Sequence, residues 1–118
     1  MIRLLLVDDD RSFLEALLSR LKKDFQVSTA TGVAEAKQVL LSEDVDAVCS
    51  DFNMRDGTGL ELLEWLREKG NTIPFLLLSA TEDAFLINMV KRYGATFCGK
   101  TDCNLIETIK MLINSKPM

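Results

Sequence analysis

Short apolar runs alternate with amphipathic stretches along the whole chain. The runs fall at Ile2 to Val7, Phe25 to Ala30, Val45 to Ser50, Pro74 to Leu78 and Thr96 to Cys98. Runs of this length fit strands buried on both faces of a parallel sheet. Between them, apolar positions recur at helical spacing near Arg11 to Lys22, Val33 to Leu41, Gly59 to Glu68, Glu82 to Tyr93 and Asn104 to Asn114. In the first helix Phe13, Leu14, Leu17, Leu18 and Leu21 form one face that can lie on a sheet. Gly70 and Gly94 stand where C-cap glycines end the third and fourth helices. Five βα units in strict alternation predict an α/β fold: a doubly wound, five-stranded parallel sheet with helices on both faces. In the strand order 2-1-3-4-5, ligands bind over the first and third strands, where the order reverses.

Those two strands end in acid. The run Leu4 to Val7 stops on Asp8, Asp9 and Asp10, and Val45 to Ser50 stops on Asp51. Clustered carboxylates raise one another's pKa and destabilise a fold unless a cation or hydrogen-bond donors compensate, which suggests one hard-cation site. Asp10 reads as the N-cap of the first helix. The fourth strand ends on Ser79 and Ala80, the fifth on Gly99 and Lys100. All these ends open on one rim of a parallel sheet, so Asp8, Asp9, Asp51, Ser79 and Lys100 can converge. Two acids to hold a divalent cation, a third beside it, a hydroxyl and a lysine make a site for a phosphoryl group.

Composition narrows the setting. At 118 residues the chain is expected to form one domain, residues 1–118. No apolar stretch approaches the ~18 residues of a membrane span. The run Ile2 to Val7 is too short for a signal peptide, so a cytoplasmic location away from membranes is expected. The three cysteines lack metal-ligand spacing and the chain has no histidine, which argues against zinc. Cys49 and Cys98 read as reduced core filler. A net charge of −4 without a basic cluster argues against direct nucleic-acid contact.

These residues resemble a response-regulator receiver domain of two-component signalling, a domain of flavodoxin-like fold. The likeness rests on Asp8-Asp9, on Asp51 followed by Met54 and Gly59, on Ser79-Ala80, and on Gly94-Ala95 leading to Lys100. It implies that Asp51 accepts a phosphoryl group from a sensor histidine kinase or a histidine phosphotransfer protein. It further implies that Asp8, Asp9, Asp51 and the backbone carbonyl of Asn53 hold Mg²⁺, and that the domain catalyses only its own phosphorylation and dephosphorylation. Ser79 and Phe97 are the implied switch pair, and Lys100 pairs with the phosphoryl group. The resemblance also implies that the side chains of Asn53 and Thr81 tune dephosphorylation. The implied change falls on the fourth helix, fifth strand and fifth helix. That surface would control an output domain or downstream protein, with a phosphorylation-dependent dimer as a further possibility.

Thr101 and Arg55 depart from the family, which usually has proline at the first position and often at the second. They bear on loop rigidity, including whether a cis peptide precedes Thr101, because neither removes a group that touches metal or phosphoryl. Two other readings remain open. Mg²⁺-dependent phosphatases of the haloacid dehalogenase type also begin with a strand ending in Asp-x-Asp, which Asp8-Asp9-Asp10 satisfies, and there Asp8 would be the nucleophile. A pseudo-receiver would bind partners without phosphorylation. Since the chain ends soon after the fifth helix, it is expected to be either a stand-alone receiver or one cut from a longer protein.

Overall fold

The computed structural model describes residues 1–102 and 104–114; Cys103 and the segment 115–118 lie outside the described residues. The elements run β1 (Arg3–Val7), α1 (Arg11–Leu21), β2 (Gln26–Ala30), α2 (Val33–Ser42), β3 (Ala47–Asp51), β4 (Asn53–Met54), β5 (Gly57–Thr58), α3 (Gly59–Glu68), β6 (Phe75–Ser79), α4 (Ala84–Arg92), β7 (Thr96–Gly99) and α5 (Leu105–Asn114). Five strands pair in parallel in the order β2-β1-β3-β6-β7. This is the expected 2-1-3-4-5 order, with the antiparallel hairpin β4–β5 inserted after β3.

Alternate residues of the central strands divide between two cores. Leu4, Leu6, Cys49, Leu76 and Leu78 pack with Leu14, Leu17 and Leu21 of α1 and with Ile109 and Ile113 of α5. Leu5, Val7, Val48, Leu77 and Phe75 pack on the opposite face with residues of α2, α3 and α4. A strand buried on both sides has no polar alternation, which is why the apolar runs were so plain. Cys49 and Cys98 are free and buried within this packing. Burial pushes both thiols up, which suits inert filler.

The helix ends also follow from local chemistry. Asp10 caps α1, its carboxylate accepting the N–H groups of Ser12 and Phe13 at 3.1 and 3.2 Å. Gly70 and Gly94 follow α3 and α4 with φ of +79° and +68°, the left-handed geometry of a helix stop. Among the described residues no helix is long and apolar enough to cross a membrane.

Candidate functional site

The carboxyl ends of β1, β3, β6 and β7 meet on one rim because the parallel ladder continues past the strands. Asp8 N–H donates to the Ala30 carbonyl at 3.0 Å, Phe52 N–H to Leu78 at 2.8 Å, and Lys100 N–H to Ser79 at 2.8 Å. These bonds fix the backbone from which the site side chains project. Asp8 is 2% exposed. Its Oδ1 accepts the Asp10 N–H at 2.9 Å, and its Oδ2 accepts Lys100 Nζ at 2.9 Å. Lys100 Nζ also stands 3.5 Å from Asp51 Oδ2, while Asp51 Oδ1 accepts the Phe52 N–H at 2.9 Å. Asp9 Oδ2 accepts the N–H of Arg55 at 3.0 Å. One oxygen each of Asp8, Asp9 and Asp51 lie within 4.8 Å of one another.

Burial raises the pKa of Asp51, and the neighbouring Asp8 charge raises it further, against the opposing pull of Lys100 and the Phe52 N–H. For Lys100, burial by itself would lower the pKa. The hydrogen bond to Asp8 and the charges of Asp51 and Asp8 outweigh it, and the net direction is up. One ammonium thus faces three clustered acids, and a negative excess remains. Hard oxygen donors without nitrogen or sulfur suit Mg²⁺ better than a transition metal. The donor set therefore fits the implied ion.

The remaining predicted residues lie on β4, at the end of β6, in the loop after it and on β7. Ser79 is buried, and its Oγ is engaged with Thr81: it donates to the Thr81 carbonyl at 2.9 Å and accepts the Thr81 N–H at 3.3 Å. Phe97 on β7 is half-buried and packs against the core on the α2–α4 face. Asn53 and Thr81 are both exposed. All described peptide bonds are trans, so a trans bond links Lys100 to Thr101.

Two supporting residues escaped the sequence reading in these roles. Gly59 lets α3 press against the end of β3, where a Cβ would collide with the Asp51 carbonyl oxygen and lie 2.6 Å from Leu77 Cδ1. Its N–H donates to the Phe52 carbonyl at 2.7 Å, just beyond Asp51. Asp56, between β4 and β5, caps a helix remote in sequence: its carboxylate accepts Val33 N–H at 2.8 Å and Ala34 N–H at 3.0 Å. The local N-cap of α2 is Gly32, which has no side chain to do this. No short-range pattern announces a cap supplied from another loop.

Fold and rim together define an α/β domain with an acidic, lysine-bearing site at its topological switch point. The family model of the response regulator receiver domain matches residues 4–100. The chain belongs to this family and is a receiver domain of two-component signalling. It is 37% identical over 82 residues to the response regulator MprA of Mycolicibacterium vanbaalenii, a match covering 69% of this chain and 36% of that protein. It is 40% identical over 67 residues to the photosynthetic apparatus regulatory protein RegA of Cereibacter sphaeroides, covering 56% of this chain and 36% of RegA. The chain thus spans about a third of the length of these curated relatives. The non-phosphorylated HemR receiver domain of Leptospira biflexa superposes with a TM-score of 0.91 at 29% identity, covering 100% of this chain and 99% of that one. The response regulator TrrA of Thermotoga maritima, solved in complex with Mg²⁺-BeF, gives a TM-score of 0.82 at 27% identity, covering 95% of this chain and 99% of that one.

Proposed function

We propose that Asp51 is the phosphoacceptor of this receiver, taking its phosphoryl group from a phosphohistidine on a sensor histidine kinase or histidine phosphotransfer protein. The observation that carries the reading is the placement of Asp51. Its carboxylate lies 3.5 Å from Lys100 Nζ and shares with Asp8 and Asp9 a cluster of oxygens within 4.8 Å. Asp51 is also the more accessible nucleophile, with a side chain 13% exposed against 2% for Asp8. That contrast favours the receiver over a phosphatase that would use Asp8.

A carboxylate oxygen of Asp51 attacks phosphorus while the bond from phosphorus to the imidazole nitrogen breaks and the imidazole leaves with the electron pair. The product is an acyl phosphate, a high-energy linkage that water can later hydrolyse, so the mark is temporary. Asp8, Asp9, Asp51 and the Asn53 carbonyl would hold Mg²⁺. When bound, the ion supplies positive charge against the phosphoryl oxygens. Lys100 adds an ammonium to the same task. Ser79 exchanges its bond to the Thr81 carbonyl for one to a phosphoryl oxygen, and Phe97 turns into the space so vacated. These moves favour a different surface on α4, β7 and α5, which signals to an output domain or downstream protein.

A small phosphodonor such as acetyl phosphate tests the reading without a kinase. Intact mass should show a single added phosphoryl group with Mg²⁺ and none with chelator. Mg²⁺ alone should raise the melting temperature of the native protein but not of Asp9→Ala. An undiminished Mg²⁺ effect in that variant would place the metal elsewhere.

A further inference from the structure

We propose that Phe13 is a positioning residue for Lys100, its ring face holding the ammonium over the acid cluster. The proposal rests on the reading of Lys100 as the phosphoryl partner. Lys100 Nζ stands over the Phe13 ring, 4.3 Å from its centroid. Its two carboxylate partners are Asp8 Oδ2 at 2.9 Å, just beyond β1, and Asp51 Oδ2 at 3.5 Å, at the end of β3, whereas the ring belongs to α1. The ammonium is therefore held by groups from three separate parts of the fold.

Phe13 is itself fixed. Its N–H donates to the Asp10 carboxylate at 3.2 Å, and its side chain packs against the core shared by α1 and α5. The rigid ring can therefore define where a flexible four-carbon side chain ends. An aromatic face attracts a cation through its quadrupole and excludes water from that side. A lysine restrained in this way keeps its charge beside Asp51 instead of extending into solvent, and is in place when the phosphoryl group arrives. Ordinary core packing would make a different demand, since any apolar side chain of similar volume would then serve.

Ring electronics separate the two roles while shape is almost unchanged. Phe13 is replaced by 4-fluoro-, 3,5-difluoro- and 3,4,5-trifluorophenylalanine, which progressively weaken the quadrupole. Phosphorylation of Asp51 by acetyl phosphate at saturating Mg²⁺ is then timed; with this donor no kinase surface can dock on α1. The logarithm of the rate should fall steadily along the series, to a total loss of about fivefold. Phe13→Trp should retain the native rate, and Phe13→Leu should match the trifluorinated end. In a Lys100→Ala background the series should be flat. A flat series in the native background, or an unchanged slope without Lys100, would overturn the proposal. The ¹⁵Nζ signal of Lys100 is followed in the same proteins and should move in the same order. It therefore tests Phe13 even if the native protein takes up no phosphoryl group, a result that would instead contradict the role of Asp51.

Discussion

Lys100 and Asp8, 92 residues apart in the chain, meet in a 2.9 Å ion pair whose acid is 2% exposed. Asp51 lies further from the same ammonium, at 3.5 Å. In this structure the lysine is thus drawn mainly toward Asp8, and under the proposed function a phosphoryl group on Asp51 would compete for it. The proposed change of partner would link β3 to the residue that follows β7.

Removing the lysine should cost stability as well as coupling. Lys100→Ala leaves the buried Asp8 without its cation, for an expected loss of about 2 kcal/mol in urea unfolding without Mg²⁺, less than for a fully buried pair. Mg²⁺ should recover part of the loss by supplying the missing charge. The variant should still be phosphorylated to some extent, without the chemical-shift changes in α4 and α5 expected on phosphorylation of the native protein. Lys100→Arg should not restore them, because a planar guanidinium cannot reproduce a compact ammonium.

Asp51→Asn should stabilise the metal-free protein at neutral pH, by a gain on the order of 1 kcal/mol. Burial and the Asp8 charge raise the folded-state pKa of Asp51, so its stabilising contribution is present at low pH. That contribution is lost as pH rises from the ordinary aspartate value through the folded one. The advantage of the asparagine should therefore appear on raising the pH and vanish in acid. A variant less stable than the native protein at neutral pH would mean that the Lys100 contact outweighs the repulsion.

Asp56 should show the opposite pH dependence. Its bonds from Ala34 and Val33 hold its carboxyl below the ordinary range, so its contribution is complete at neutral pH and lost as pH falls through the folded value. Asp56→Ala removes the cap of α2, at an expected cost of about 1 kcal/mol at neutral pH. Denaturation curves of the two proteins should converge in acid. A difference that persists unchanged there would point to the side chain's packing instead of its charge.

The acyl phosphate should last for minutes. Asn53 and Thr81 are small, neutral and exposed, so neither shields Asp51 nor places a charge to orient water. This corresponds to a barrier of ~21–22 kcal/mol. A basic residue at position 53 or a bulky one at position 81 should lengthen the lifetime, as followed by loss of label with Mg²⁺ present. A lifetime of many hours in the native chain would show that another group guards the site.

The site was legible because each member ends an apolar strand. Asp8, Asp51, Ser79 and Lys100 needed only a parallel sheet to be placed on one rim, and the strict alternation of strand and helix patterns predicted one. Features that depend on neighbours brought together by folding were not legible. Asp56 reaches α2 across 22 and 23 positions, and Gly59 matters only because α3 abuts β3. Phe13 read as one more apolar position of an amphipathic helix, since periodicity reports burial and says nothing of the cation above a ring. The hairpin β4–β5 is two residues per strand, too short for any periodicity to register.

Locating the modified residue tests the central claim most directly. The native protein, treated with acetyl phosphate and Mg²⁺, is reduced with tritiated borohydride, which expels phosphate and converts the phosphorylated aspartate to labelled homoserine, and the labelled peptide is sequenced by mass spectrometry. The label should fall on Asp51 and be absent from Asp51→Asn, which should remain folded. Label on Asp8, or undiminished labelling of Asp51→Asn, would contradict the assignment.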